Sequence, residues 1–160
     1  MIQPVPSRPF GGLFRATSQP HSPAILLVDD DPDVLAALSA TLRITGYQVV
    51  SCQGPFTARE IARRKEFDLL VSDFDMPEMN GFALASALTL ARPALPVVLI
   101  SGRDPEDLPQ VQIVERGWEL MFKPIDAGRL IGSIEMQLHR RHKAAGTMPA
   151  RAGLVHERAS

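Results

Sequence analysis

The chain has 160 residues, 45% of them hydrophobic and 22% charged, as expected for one ordinary globular domain with tails. A formal net charge of -1 gives no bulk attraction to nucleic acid or to an anionic membrane, and neither is expected as a partner. The single cysteine, Cys52, excludes an internal disulfide; no apolar run is long enough to cross a bilayer, and no secretory signal is visible, so a cytoplasmic protein is expected.

Residues 1–23 hold five of the fourteen prolines and almost no periodic apolar pattern, which predicts a disordered, proline-rich arm. Ala24 to Val28 is an apolar strand, followed at once by Asp29, Asp30 and Asp31. Asp31-Pro32 is a helix start, because a capping carboxylate precedes a proline whose missing N–H costs nothing in the first turn. Val34, Leu35, Leu38 and Leu42 continue it at helical spacing, and Gly46 stops it. Tyr47 to Cys52 is a second strand, and a short amphipathic helix follows to Lys65.

Leu69, Leu70 and Val71 are apolar without alternation, the pattern of a strand buried on both faces. Ser72 and Asp73 end it, and Pro77, Asn80 and Gly81 mark a loop. Phe82 to Ala91 is a third helix, stopped by Pro93 and Pro96. Val97 to Ile100 is the fourth strand, closed by Ser101-Gly102. Arg103 to Arg116 should hold a short helix with Val111, Ile113 and Val114. Glu119 to Phe122 is the fifth strand, ending at Lys123-Pro124. Asp126 caps a last helix carrying Leu130, Ile131, Ile134 and Leu138, weakened by Gly128 and Gly132. A domain over residues 24–143 and a flexible basic tail over 144–160 are expected.

Strand then helix, five times, predicts an α/β fold with a parallel sheet covered on both faces. In the doubly wound, flavodoxin-like order 2-1-3-4-5, Asp29, Asp30 and Asp73 converge at the carboxyl ends of the first and third strands. Ser101 and Lys123 end the fourth and fifth. Three close carboxylates repel and need neutralising, which a hard cation such as Mg²⁺ does with oxygen ligands. Carboxylates, a metal, a hydroxyl and a lysine around one aspartate suit phosphoryl transfer, with Asp73 as the nucleophile.

These residues resemble the receiver domain of two-component response regulators. The resemblance rests on Ile25 to Pro32, on Ser72-Asp73-x-x-Met76-Pro77-x-Met79-x-Gly81, on Pro96 to Gly102, and on Lys123-Pro124. It implies that Asp73 accepts a phosphoryl group from a phosphohistidine on a sensor histidine kinase or a histidine phosphotransfer protein. It implies that Asp29, Asp30, Asp73 and the backbone carbonyl of Asp75 bind Mg²⁺, and that Ser101 and Lys123 engage the phosphoryl group. It also implies a cis peptide before Pro124.

Leu120 departs from the family, which places an aromatic residue there that turns inward on activation. The expected consequence is a weak shift of this face, or one routed through Trp118. Asp75 and Arg103 occupy positions that tune the lifetime of the phosphoryl group in the family, and they are expected to pair across the site mouth. Without a following effector domain, the signal is expected to leave a monomer or weak dimer through the fourth helix, fifth strand and fifth helix to another protein. A receiver that no longer takes phosphate is the alternative. Asp73-Phe74-Asp75 also matches the Asp-x-Asp of haloacid-dehalogenase-type phosphatases, but the acidic pair precedes it here and Pro77 stands where Thr or Val is found. The chain is therefore expected not to be an enzyme.

Overall fold

The computed structural model describes residues 22–146. Nearly all of the predicted arm, and the predicted tail beyond residue 146, lie outside the described residues. The elements are β1 (Ala24–Val28), α1 (Pro32–Ile44), β2 (Gln48–Cys52), α2 (Pro55–Arg64), β3 (Leu69–Asp73), α3 (Gly81–Ala91), β4 (Val97–Ser101), α4 (Gln110–Glu115), β5 (Glu119–Phe122) and α5 (Ala127–Gly146). All strand pairs are parallel and the order is β2-β1-β3-β4-β5, the flavodoxin-like arrangement expected from the sequence.

Period-two alternation divides the core into two layers. Leu26, Val28, Leu70, Val97 and Leu99 point to one side, where Ala58 and Ala62 of α2, Leu84 and Leu88 of α3, and Ile113 of α4 meet them. Ile25, Leu27, Leu69, Val71, Val98 and Ile100 point to the other, against Leu35 and Leu42 of α1 and Leu130, Ile134 and Leu138 of α5. Every residue of β3 and β4 is buried, which explains their unbroken apolar reading.

The helix starts follow their capping chemistry. Asp31 accepts hydrogen bonds from the N–H groups of Asp33 and Val34, and Asn80 accepts one from Ala83. Arg92, just after α3, donates to the carbonyls of Ala62 (2.8 Å) and Lys65 (3.0 Å), satisfying the open end of α2. Its guanidinium lies 4.5 Å from the Phe67 ring centroid.

Some boundaries differ from the sequence reading. Tyr47 precedes β2 and Gly81 opens α3. The stretch before α4 carries a single 3₁₀ turn over Pro105–Asp107, and α4 is six residues long, starting after Pro109 and ending before Gly117 with its φ of 71°. Helix α5 continues through residues 144–146, beyond the predicted domain boundary, because Ala144 and Ala145 are strong helix formers.

Gly81 fixes how closely α3 approaches the end of β3. Its N–H donates to the Phe74 carbonyl at 2.9 Å, and a Cβ there would collide with the backbone carbonyl of Asp73. Gly81→Ala should therefore destabilise the fold by about 1–3 kcal/mol, the ordinary cost of overpacking. Urea unfolding should show a lowered midpoint with an unchanged slope; an unchanged midpoint would remove this constraint.

Candidate functional site

The carboxyl ends of β1, β3, β4 and β5 open on one crevice. Asp29 follows β1, Asp73 ends β3, Ser101 ends β4, and Lys123 follows β5. The backbone holds these ends in place: the Phe74 N–H donates to the Ile100 carbonyl at 2.7 Å, and the Lys123 N–H to the Ser101 carbonyl at 2.8 Å. The Lys123–Pro124 peptide is cis.

Carboxylate oxygens of Asp29, Asp30 and Asp73 lie within 4.8 Å of one another. Asp29 and Asp73 are buried and Asp30 is exposed, so the cluster has a dry floor and a wet rim. Asp29 Oδ1 accepts the Asp31 N–H at 2.9 Å. Lys123 Nζ lies 2.8 Å from Asp73 Oδ1 and 3.9 Å from Asp29 Oδ2. The closer contact is an ion pair and not an aligned hydrogen bond, since the buried Asp73 Oδ1 has no directional partner among the described residues. The donor set fits Mg²⁺: three carboxylates offer hard oxygen ligands close together, with more negative charge than Lys123 alone balances.

Burial pushes the pKa of Asp73 up; Lys123 opposes this, and Asp75 and Asp30 add to it. Burial likewise raises Asp29, against the Asp31 N–H and Lys123, which lower it. For Lys123, burial favours loss of the proton, but Asp73, Asp29 and Asp30 outweigh it and the pKa is raised.

Ser101 is fully buried, and its hydroxyl is not turned to Asp73. It donates to Asp75 Oδ2 at 3.1 Å and accepts the Arg103 N–H at 3.1 Å. Arg103 Nε in turn pairs with Asp75 Oδ1. The Arg103 guanidinium stands 5.8 Å from the centroid of the Phe74 ring. The bond between Ser101 and Asp75 has no signature in sequence spacing, because it depends on side-chain rotamers 26 residues apart.

Leu120 is half-buried and packs on the α2–α3–α4 side of the sheet. Trp118 is buried in the same layer, with Phe82 edge-on at 5.6 Å between centroids and the Arg116 guanidinium 4.9 Å from its own ring centroid. Cys52 is a buried strand residue whose thiol is pushed up to about 11 by burial, far from a reactive thiolate.

Comparison with known proteins gives one consistent result. The family model described as response regulator receiver domain matches residues 25–135. The phosphoglycerate transport system transcriptional regulatory protein PgtA of Salmonella typhimurium is 37% identical over 120 residues, 74% of this chain and 28% of that protein. The transcriptional regulatory protein PrrA of Mycobacterium bovis is 33% identical over 125 residues, 78% of this chain and 53% of that protein. The chain thus spans about a quarter to a half of these relatives. A CheY-like response regulator receiver domain protein from Methanospirillum hungatei JF-1 superposes with a TM-score of 0.70 at 24% identity, over 77% of this chain and 98% of that one.

The clustered charges have a cost that can be measured. A carboxyl with a higher pKa in the folded chain binds its proton more tightly there. Without metal, Asp29 and Asp73 therefore erode stability as pH rises from the ordinary 3.8 through their raised values. Lys123 acts oppositely: its contribution is present below 10.5 and is lost as pH rises through its raised pKa. Asp29→Asn keeps the acceptor for the Asp31 N–H and removes one charge. In chelator at neutral pH it should raise the thermal midpoint by about 3 °C, with the gain shrinking toward pH 3.8. Millimolar Mg²⁺ should stabilise the unsubstituted protein more than the variant. A variant less stable in chelator would contradict this electrostatic account.

Proposed function

The chain belongs to the response regulator receiver domain family, and from that membership we propose that it accepts a phosphoryl group on Asp73 from a phosphohistidine. The donor is a sensor histidine kinase or a histidine phosphotransfer protein. The observation that carries the reading is the meeting of Asp29, Asp30 and Asp73 within 4.8 Å, with Lys123 Nζ 2.8 Å from the acceptor carboxylate.

An Asp73 oxygen attacks phosphorus. The P–O bond forms as the P–N bond breaks, and the leaving imidazole nitrogen takes up a proton. Mg²⁺, held by Asp29, Asp30, Asp73 and the Asp75 backbone carbonyl, supplies charge neutralisation at the phosphoryl oxygens when bound. Lys123 is already poised beside Asp73 and pairs with one phosphoryl oxygen. Ser101 donates its hydroxyl to another. Asp75 and Arg103, at the mouth, control how water reaches the aspartyl phosphate and so its lifetime.

The product is a phosphoprotein in a two-component system or phosphorelay, with at most slow self-dephosphorylation; this is a signalling acceptor and not an enzyme. A cytoplasmic location fits the donors, and among the described residues no helix is long and apolar enough to cross a membrane. The signal passes to a protein target through the α4–β5–α5 face of a monomer or weak dimer. Val111 and Val114, both exposed on α4, supply apolar contact area there. The second reading, a phosphate-independent interaction module, draws on Leu120 alone.

Phosphotransfer from labelled sensor kinases and phosphotransfer proteins of the same cell tests the reading. With Mg²⁺, at least one donor should label the protein, Asp73→Ala should take no label, and Lys123→Ala should be labelled about tenfold more slowly, one charge-assisted contact being lost. Label persisting in Asp73→Ala would refute the assignment of the acceptor.

A further inference from the structure

Ser101 has one hydroxyl proton, and it is committed to Asp75 Oδ2 at 3.1 Å. The serine oxygen is engaged as well, accepting the Arg103 N–H at 3.1 Å. Both oxygens of Asp75 are occupied, one by Ser101 and the other by Arg103 Nε. The three residues form a closed ring at the mouth of the site. In this state Ser101 has no proton to offer a group on Asp73.

We propose that Arg103 is a further phosphoryl-binding residue beside Lys123 and Ser101, held in reserve by Asp75, and that the arriving phosphoryl group takes over both Arg103 and the Ser101 hydroxyl. The inference rests on the phospho-acceptor reading and adds a residue and an order of events to it. Three observations carry it. The Arg103 side chain is 55% exposed and that of Asp75 is 29% exposed, so the pair is wet and exchanges readily. The guanidinium already lies over Phe74, the residue next to the acceptor, at 5.8 Å from the ring centroid. The Arg103 backbone is fixed to Ser101 Oγ, so its side chain pivots from the rim of the crevice.

A phosphoryl group brings up to about two negative charges and three acceptor oxygens. It repels the Asp75 carboxylate and outcompetes it for a guanidinium, whose fork matches phosphoryl oxygens. As Arg103 moves across, Asp75 loses its counter-charge and releases Ser101. The loop between β4 and α4 is then pulled toward the site at its first turn. This gives the β4–α4 loop a route to the α4 surface that does not require an aromatic side chain at position 120.

Binding of beryllofluoride with Mg²⁺, a phosphoryl mimic, tests the proposal on the full chain. Affinity is measured by calorimetry for the unsubstituted protein and for Arg103→Ala, Arg103→Lys and Asp75→Ala. Arg103→Ala should bind about tenfold more weakly, the loss expected for one charge-assisted contact, and Arg103→Lys should recover part of that loss. Asp75→Ala should bind several-fold more tightly, because it frees both Ser101 and Arg103. A single cooperative thermal transition in chelator, whatever its midpoint, shows that each variant is folded. The proposal is overturned if Arg103→Ala binds as tightly as the unsubstituted protein, or if Asp75→Ala binds more weakly. If the unsubstituted protein binds no beryllofluoride with Mg²⁺, the phospho-acceptor reading itself fails, a result distinct from failure of the arginine hand-over.

Discussion

Three carboxylates have oxygens within 4.8 Å of one another, and among the described residues one ammonium, Lys123, lies within ion-pairing distance of the buried pair. That imbalance is the constraint on which the site depends. Burial deepens it, since Asp29 and Asp73 are removed from the water that would screen them. Such an arrangement works against the metal-free fold, and the three carboxylates offer a metal ion its ligands.

The rest of the fold supplies the rigidity that keeps such a cluster together. The fully buried strands β3 and β4 hold Asp73 and Ser101 side by side, with Asp73 in register opposite Ile100. Two apolar layers clamp the sheet, and Gly81 lets α3 come against the Asp73 backbone. The site floor is buried, while its mouth is made of the partly exposed pair Asp75 and Arg103.

Much of this was legible in the sequence, because its features are local. Unbroken apolar runs mark strands buried on both faces, and Asp31-Pro32 is a helix start wherever it occurs. The acidic residues at the strand ends needed only the alternation and the doubly wound order to bring them together. What could not be read depends on side-chain direction across long separations. Ser101 turned to Asp75, Arg92 closing the end of α2, and Trp118 buried against Phe82 leave no periodicity behind them. The short α4 was harder to bound, since Pro105 and Pro109 mark interruptions without saying what lies between.

The central claim is that the buried carboxylate of Asp73 is a nucleophile toward phosphorus only when the charge of its neighbours is neutralised. Intact-mass and peptide-mapping mass spectrometry after incubation with acetyl phosphate tests it directly, with and without Mg²⁺. The account predicts one added phosphoryl group, located on Asp73, that appears with Mg²⁺ and is absent in chelator. A phosphoryl group on any other residue, or equal modification of Asp73 in chelator, would contradict it.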